Sequence, residues 1–217
     1  MKFDLKISED LQKYTDSMSF MENRVRHIQE GRSPSLLWLL EHPSLFTQGA
    51  GGDRSIPSGF PVIESSRGGK ATYHGPGQRV IYVMFQLQGC MKDVRLYIYF
   101  LEEWIIQTLS HFNVAGKRCA GRVGVWVDTL EGEKKIAAVG VRIQKWVTSH
   151  GLSLNVNPDL TLYEGIIPCG LSGFGVTSLE DLGVKTTLKQ VDSIFLEVLP
   201  LVFQKVMKGS FDGYCKN

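Results

Sequence analysis

The stretch from Arg122 to Val156 constrains the fold of this 217-residue chain more than any other. Arg122 to Asp128 and Lys135 to Thr148 read as two strands, and Glu131-Gly132-Glu133 between them has the composition of an antiparallel turn. Gly151 to Val156 adds a further strand. Upstream, Arg79-Val-Ile-Tyr-Val-Met-Phe-Gln-Leu87 is another, marked by its β-branched and aromatic content, and Ser35 to Glu41 reads as a buried strand with Trp38 in the core. Val94, Tyr97, Ile98, Leu101, Ile105 and Leu109 recur at helical spacing, which predicts an amphipathic helix over Lys92 to Phe112, lying on the sheet as plain core. A first helix is expected from about Asp10 to Glu30 with its stop at Gly31. A last one is expected over roughly Leu188 to Met207, kinked or broken at Pro200. Helices at both ends flanking a mixed, mostly antiparallel sheet make the class α+β.

Size and charge narrow the functional classes. With 43% hydrophobic residues and no linker, repeat or low-complexity tract, residues 1–217 are expected to form a single domain. Its 24 basic and 22 acidic residues leave a charge of +2 without a dense Lys/Arg block, which argues against nucleic acid as a partner. Docking of an acidic protein stays open. Met1 to Lys6 carries charges where a secretory signal needs an apolar core, and nothing approaches a membrane span, so a cytoplasmic location is expected. Cys90, Cys119, Cys169 and Cys215 show neither C-x-x-C pairing nor the density of a disulfide scaffold, so free thiols are expected. Cys90 and Cys119 read as small, buried or semi-buried residues, and Cys215 as part of a frayed tail. Ser44 to Gly59, rich in Gly, Ser and Pro, reads as a mobile surface loop beside a site.

Three motifs carry the chemistry. Arg67-Gly-Gly-Lys-Ala-Thr-Tyr-His-Gly-Pro-Gly-Gln78 packs four glycines and a proline around one histidine, which lets backbone approach a ligand closely. It matches neither the P-loop nor the dinucleotide fingerprint, so its amides suit an acyl carbonyl or oxyanion better than a phosphate, with a plain turn cluster as the competing account. Pro168-Cys-Gly170 places a thiol in a constrained turn, where neighbouring amide dipoles or a cation raise the thiolate fraction. Val176 to Leu182 beyond it reads as a short helix. Lys135 precedes a strongly apolar strand, where loss of hydration favours a neutral amine able to shuttle protons; a snorkelling lysine is the bland alternative. Lys134 alternates to the opposite face. For His74, bracing the loop and touching a ligand weigh equally, and for His150 a structural role is favoured. No histidine has a partner at zinc-ligand spacing, so no metal site is expected. Thiol, lysine and amide-lined loop together point to acyl transfer.

The residues also closely resemble the lipoyl(octanoyl) transferase family nearly end to end. The resemblance is carried by Leu40-Glu-His-Pro43 with Thr47 and Gly49, by Arg67-Gly-Gly69 with Thr72 to Gln78, and by Lys135-Ile-Ala-Ala-Val-Gly-Val-Arg142. His150-Gly-Leu152 with Leu154-Asn-Val156, and Pro168-Cys-Gly170, complete it. It implies the fold shared with biotin and lipoate protein ligases, and a dyad in which Cys169 is the nucleophile and Lys135 the acid/base. It further implies substrate contacts at Arg67, Gly68, Gly69, Lys70, Ala71, Thr72, Tyr73, His74 and Gly75, at Ala137, Ala138, Val139 and Gly140, and at His150, Gly151 and Leu152. The implied donor is octanoyl-acyl carrier protein. The implied acceptors are lipoyl domains of 2-oxoacid dehydrogenases and the glycine cleavage H protein, with neither cofactor nor ATP, and a monomer is the default expectation. Lys70-Ala71 and Gln48 depart from the uncharged, β-branched and apolar residues usual at those places, which bears on the local shape of the acyl tunnel. An ATP-dependent lipoate or biotin ligase, a cysteine hydrolase and a non-catalytic acyl-binding module are the alternatives. Cys169 argues against the first, because an adenylate-forming ligase needs no thiol.

Overall fold

A computed structural model describes residues 2–51, 60–163 and 174–208. In chain order these form β1 (Phe3–Ile7), α1 (Tyr14–Gln29), β2 (Ser35–Leu40), β3 (Leu45–Gln48), β4 (Val62–Glu64), β5 (Ala71–His74) and β6 (Gln78–Met84). There follow α2 (Val94–Ser110), β7 (Lys117–Cys119), β8 (Arg122–Thr129), β9 (Gly132–Gln144), β10 (Val147–Asn155), β11 (Gly175–Val176) and α3 (Leu188–Met207). Eight strands make one sheet in the order β1-β2-β6-β10-β9-β8-β7, with β11 pairing on β9 at Lys134 and Lys135. Within this sheet only β1·β2 and β9·β11 are parallel among the described residues, so the expected mixed, mostly antiparallel α+β arrangement holds. A smaller sheet, β4-β3-β5, stands beside it.

Period-two alternation divides the core into two layers. Leu37 and Leu39 of β2, Ile81 and Val83 of β6, and Leu152 and Leu154 of β10 pack against α2 and α3. Leu36, Trp38, Leu40, Val80, Tyr82 and Met84 face Met21, Val25 and Ile28 of α1 on the other side. Covering both faces is why β2 and β6 read as unbroken apolar runs rather than alternating ones. The Asp93 carboxylate caps α2, accepting from the Arg95 and Leu96 amides at 2.7 and 3.1 Å. A capping box of Thr187 and Gln190 starts α3.

Several sequence expectations move. The strand expected over Lys135 to Thr148 is two strands that reverse at Lys145-Trp146, where φ values of 49° and 60° make the two-residue turn that suits the twist of a hairpin. Neither residue is a usual turn former, so the reversal is set by pairing rather than by composition. Within Ser44 to Gly59, Leu45–Gln48 is strand β3; residues 52–59 lie outside the described ones. Val176 to Leu182 is a strand end and a turn, not a helix. Helix α1 begins at Tyr14 instead of near Asp10. Cys90 is exposed rather than buried, and Cys119 is half-buried; both are free thiols. Cys215 lies outside the described residues.

The last helix is not broken: α3 runs from Leu188 to Met207 with Pro200 inside it. Packing of Val191, Phe195, Val198, Val202 and Val206 into the core outweighs the hydrogen bond that proline cannot donate to the Leu196 carbonyl. Pro200 is exposed. Replacing Pro200 with Ala is therefore expected to stabilise the fold by about 1–3 kcal/mol, read as a higher urea midpoint, and a lowered midpoint would contradict this account.

Candidate active site

The loop from Arg67 to Lys70 and strand β5 lie across β9 and β10 and enclose a cleft of about 510 Å³, counting its open mouth. The approach is close because glycine stands on both sides: the Gly68 amide donates to the Val141 carbonyl at 3.1 Å, and a side chain at Gly140 would meet the Gly68 oxygen at 3.2 Å. Arg67, Gly68, Gly69, Lys70, Ala71, Thr72 and His74 form one wall. Ala138, Val139, Gly140, His150, Gly151 and Leu152 form the other. Three expected contacts stand apart. Tyr73 turns away, its hydroxyl 3.0 Å from Ser44 Oγ and its ring against Phe46 and Tyr163. A Cβ at Gly75 would collide with the Tyr73 ring, so that glycine serves packing. Ala137 is 2% exposed and joins the α2-side core, touching only the smaller cavity described next.

Lys135 borders a second, smaller cavity that shares Thr72, Ala138 and Ser153 with the cleft, so the two lie side by side. A bulge brings it there. Val125 stands opposite Ala137 but Trp126 stands opposite Lys135, so Ile136 is one extra residue in β9. Ile136 and Ala137 both enter the α2-side core, and Lys135 shares the opposite face with Ala138 and Gly140. Lys135 is 5% exposed, its Nζ donates to the Val123 carbonyl at 3.0 Å, and it lies 4.7 Å over the Trp126 ring. Lys134 points away, pairing with Glu131 at 2.5 Å. Tyr163 and Val176 also line the Lys135 cavity. Cys169 lies between those two in sequence and outside the described residues.

The far end of the cleft holds buried polar groups that the sequence reading did not assign. Tyr14, Val80 and Tyr82 line it, and alternation along β6 was the available signal, since Val80 and Tyr82 face away from Ile81 and Val83. His42 Nδ1 donates to the Gln12 carbonyl at 2.6 Å, and Tyr82 donates its hydroxyl to His42 Nε2 at 2.7 Å. The Gln78 amide donates to Asn155 Oδ1 at 3.0 Å and to the Tyr163 hydroxyl at 2.7 Å, so its Oε1 accepts from His74 Nδ1 at 2.6 Å. His74 is thus braced and also lines the cleft. His150 has a φ of 59°, its ring 6.1 Å from Tyr82 and its Nε2 3.3 Å from Ser66 Oγ. Arg67 spends its guanidinium on Thr47, donating to the carbonyl and Oγ1 at 2.8 Å each.

Burial sets the charge state of these rings. It holds His42 down at about 4, with the Gln12 carbonyl only partly opposing. It holds His150 at about 3, aided by the positive charges of Arg67 and Arg142. His74 lies well below its ordinary value through burial, then His42 and Arg67. All three are neutral near pH 7, and the cleft is an apolar tube with fixed hydrogen-bonding edges.

An α+β core with a tube of this shape between its two sheets defines the biotin and lipoate protein ligase class of fold. The pattern of the lipoyl protein ligase A/B catalytic domain matches residues 13–199, and the chain belongs to that family. It is similar to an octanoyltransferase of Paramagnetospirillum magneticum, 51% identical over 202 residues, covering 91% of this chain and 95% of the relative. Among solved structures it is similar to a bi-partite lipoate protein ligase from Thermoplasma acidophilum, studied with its E2 lipoyl domain. That likeness has a TM-score of 0.74 at 17% identity and covers 94% of this chain and 84% of the other. Biotin protein ligase from Aquifex aeolicus follows at a TM-score of 0.53 and 14% identity, over 96% of this chain and 72% of that one. No helix among the described residues is long and apolar enough to cross a membrane.

The neutral histidines make stability depend on pH. Unfolded, each ring binds a proton near 6.5; folded, it does so only far lower, so the folded chain carries fewer protons in between. Their contribution is fully present above pH 6.5 and is lost as pH falls, down to about 4 for His42 and about 3 for His150. Each costs roughly 1.4 kcal/mol per pH unit below its ordinary value. Urea midpoints at about pH 7.5 and about pH 5.5 should fall markedly on acidification. Equal midpoints would mean that the rings are charged when folded.

Proposed function

We propose that this chain is an octanoyltransferase of lipoate biosynthesis, acting as one catalytic unit. It moves an octanoyl group from the thioester of acyl carrier protein to a lysine of lipoyl domains, including those of 2-oxoacid dehydrogenases and the glycine cleavage H protein. The observation that carries this reading is adjacency: the cavity at Lys135 adjoins the apolar tube, with Thr72, Ala138 and Ser153 lining both. Ser153 to His150 spans three strand residues, about 10 Å, close to the length of an extended eight-carbon chain. Relatives named octanoyltransferase at about half identity support the same reading.

In this mechanism the Cys169 thiolate attacks the octanoyl thioester, a C–S bond forms to Cys169, and the carrier thiol leaves with a proton. The acceptor amine then attacks the acyl-enzyme. An amide C–N bond forms, the Cys169 sulfur leaves, and Lys135 exchanges the protons of both steps. Thioester exchange is nearly balanced and amide formation runs downhill, so no ATP is consumed. Two observations support a short path between thiol and amine. Tyr163 and Val176, which flank residue 169 in the chain, both line the Lys135 cavity, and Val176 pairs directly with Lys135. Residues of the Arg67 to Ala71 loop line the tube beside the path of the acyl chain.

Incubation with octanoyl-acyl carrier protein should add the mass of one octanoyl group, on Cys169, and Cys169→Ala should abolish it. Adding a lipoyl domain should discharge the adduct without ATP. An ATP requirement with no adduct would instead identify a ligase, and free octanoate as the main product would identify a hydrolase.

The inner end of the tube sets chain length in this reading. His150 borders both the tube and a separate cavity under α1, lined by Met18, Met21 and Val25. Because φ at position 150 is 59°, His150→Gly keeps the backbone and removes only the ring. The variant should shift preference from octanoyl toward dodecanoyl donors by about 10-fold or more in kcat/KM. An unchanged length profile would rule out His150 as the end wall.

A further inference from the structure

One peptide unit joins a buried carboxyl and a buried amine. The Gly124 amide donates to Glu102 Oε1 at 2.8 Å, while the Val123 carbonyl of the same peptide accepts from Lys135 Nζ at 3.0 Å. In a planar trans peptide the N–H and C=O point in opposite directions, so a group that grips one end aims the other. Glu102 comes from α2 and is 7% exposed, a buried carboxylate next to the likewise buried Glu103. It lies 3.3 Å from Arg118 Nε, and Arg118 also meets Glu103 at 2.6 Å.

The backbone at this point has been bent to make the link. Gly124 has a φ of 112°, a conformation open to glycine and costly for other residues. A Cβ there would stand 2.6 Å from the Ala137 carbonyl, so only hydrogen fits between this peptide and β9, and it would touch Lys135 Nζ at 3.4 Å. The neighbouring residue pairs carry the bulge that turns Lys135 toward the cleft. Burial pushes the Glu102 carboxyl up from its ordinary range, and the Gly124 amide, Arg118 and Lys135 pull it back.

We propose that Glu102 is a positioning residue for the acyl-transfer lysine: its carboxylate fixes the Val123–Gly124 peptide so that the Val123 carbonyl holds Lys135 Nζ in place. This rests on the proposed acid/base role of Lys135. The oxygen at the right reach is what matters, so Gln at 102 preserves the device and Asp, one methylene shorter, does not.

The test compares Glu102→Gln, Glu102→Asp and Glu102→Ala in octanoyl transfer from octanoyl-acyl carrier protein to a lipoyl domain, with each rate corrected for folded fraction. Glu102→Asp and Glu102→Ala should lower kcat roughly 10- to 100-fold, the scale of an ångström-sized misplacement, with KM for the donor within about twofold. Glu102→Gln should restore kcat to within about threefold of the parent. In a Lys135→Ala background, Glu102→Asp should cost nothing further, because residues acting through one group are not additive. If Glu102→Ala fails to fold, the Asp and Gln pair still decides the matter. Equal rates for the Asp and Gln variants, or an undiminished loss in the Lys135→Ala background, would overturn the proposal. Full turnover by Lys135→Ala alone would instead overturn the role of Lys135 on which it rests.

Discussion

The site depends on one extra residue in a strand. In a regular strand Lys135 would share its face with Val139 and Val141, which pack toward α2 and α3, because side chains two apart point the same way. Inserting Ile136 without a partner shifts the phase, so the core keeps its apolar row while Lys135 crosses to the cleft. The chain thereby satisfies two demands that a uniform alternation could not meet together. The adjoining Gly124, with its positive φ, is the backbone counterpart of the same adjustment.

Away from that lysine, the far end of the cleft is walled by buried neutral groups. Tyr82, His42, Gln78 and His74 spend their polar atoms on one another and on Gln12, Asn155 and Tyr163, leaving a wall that an alkyl chain can lie against. Arg67 is the one cation set deep in this wall's loop, and its bonds to Thr47 tie the loop to the small sheet. The buried Arg67 guanidinium adds to burial in keeping His74 and His150 neutral, and His42 does the same for His74, so the electrostatics of the wall are coupled rather than a sum of separate residues.

Much of the fold was legible where the local signal and the packing agree. Strands β2 and β6 and helices α2 and α3 stand close to their expected bounds because long apolar runs and 3.6-residue spacing have few alternative readings. The missed strands are short or lie where composition suggests a loop. Strand β1 carried a usable signal, Phe3, Leu5 and Ile7 alternating with Asp4 and Lys6, but its half-exposed edge gave no apolar run. Strand β3 follows Ser44 and precedes glycines, and it becomes a strand only through pairing with β4 and β5. At the site, the glycine loop, the β9 segment and the His150 turn were found as motifs. Glu102 was passed over because its helix read as plain core, although an acid four residues after Ile98 and three before Ile105 breaks that stripe.

The sequence by itself determined the class of fold, the family and the motifs that meet in the cleft, because periodicity and residue order are local properties that survive without coordinates. Only the tertiary structure decided which face Lys135 occupies, that the hairpin reverses at Lys145-Trp146, and that Glu102 reaches the peptide behind the lysine. Each of those depends on strand register and on contacts between residues distant in the chain, and neither is encoded in any single window of it.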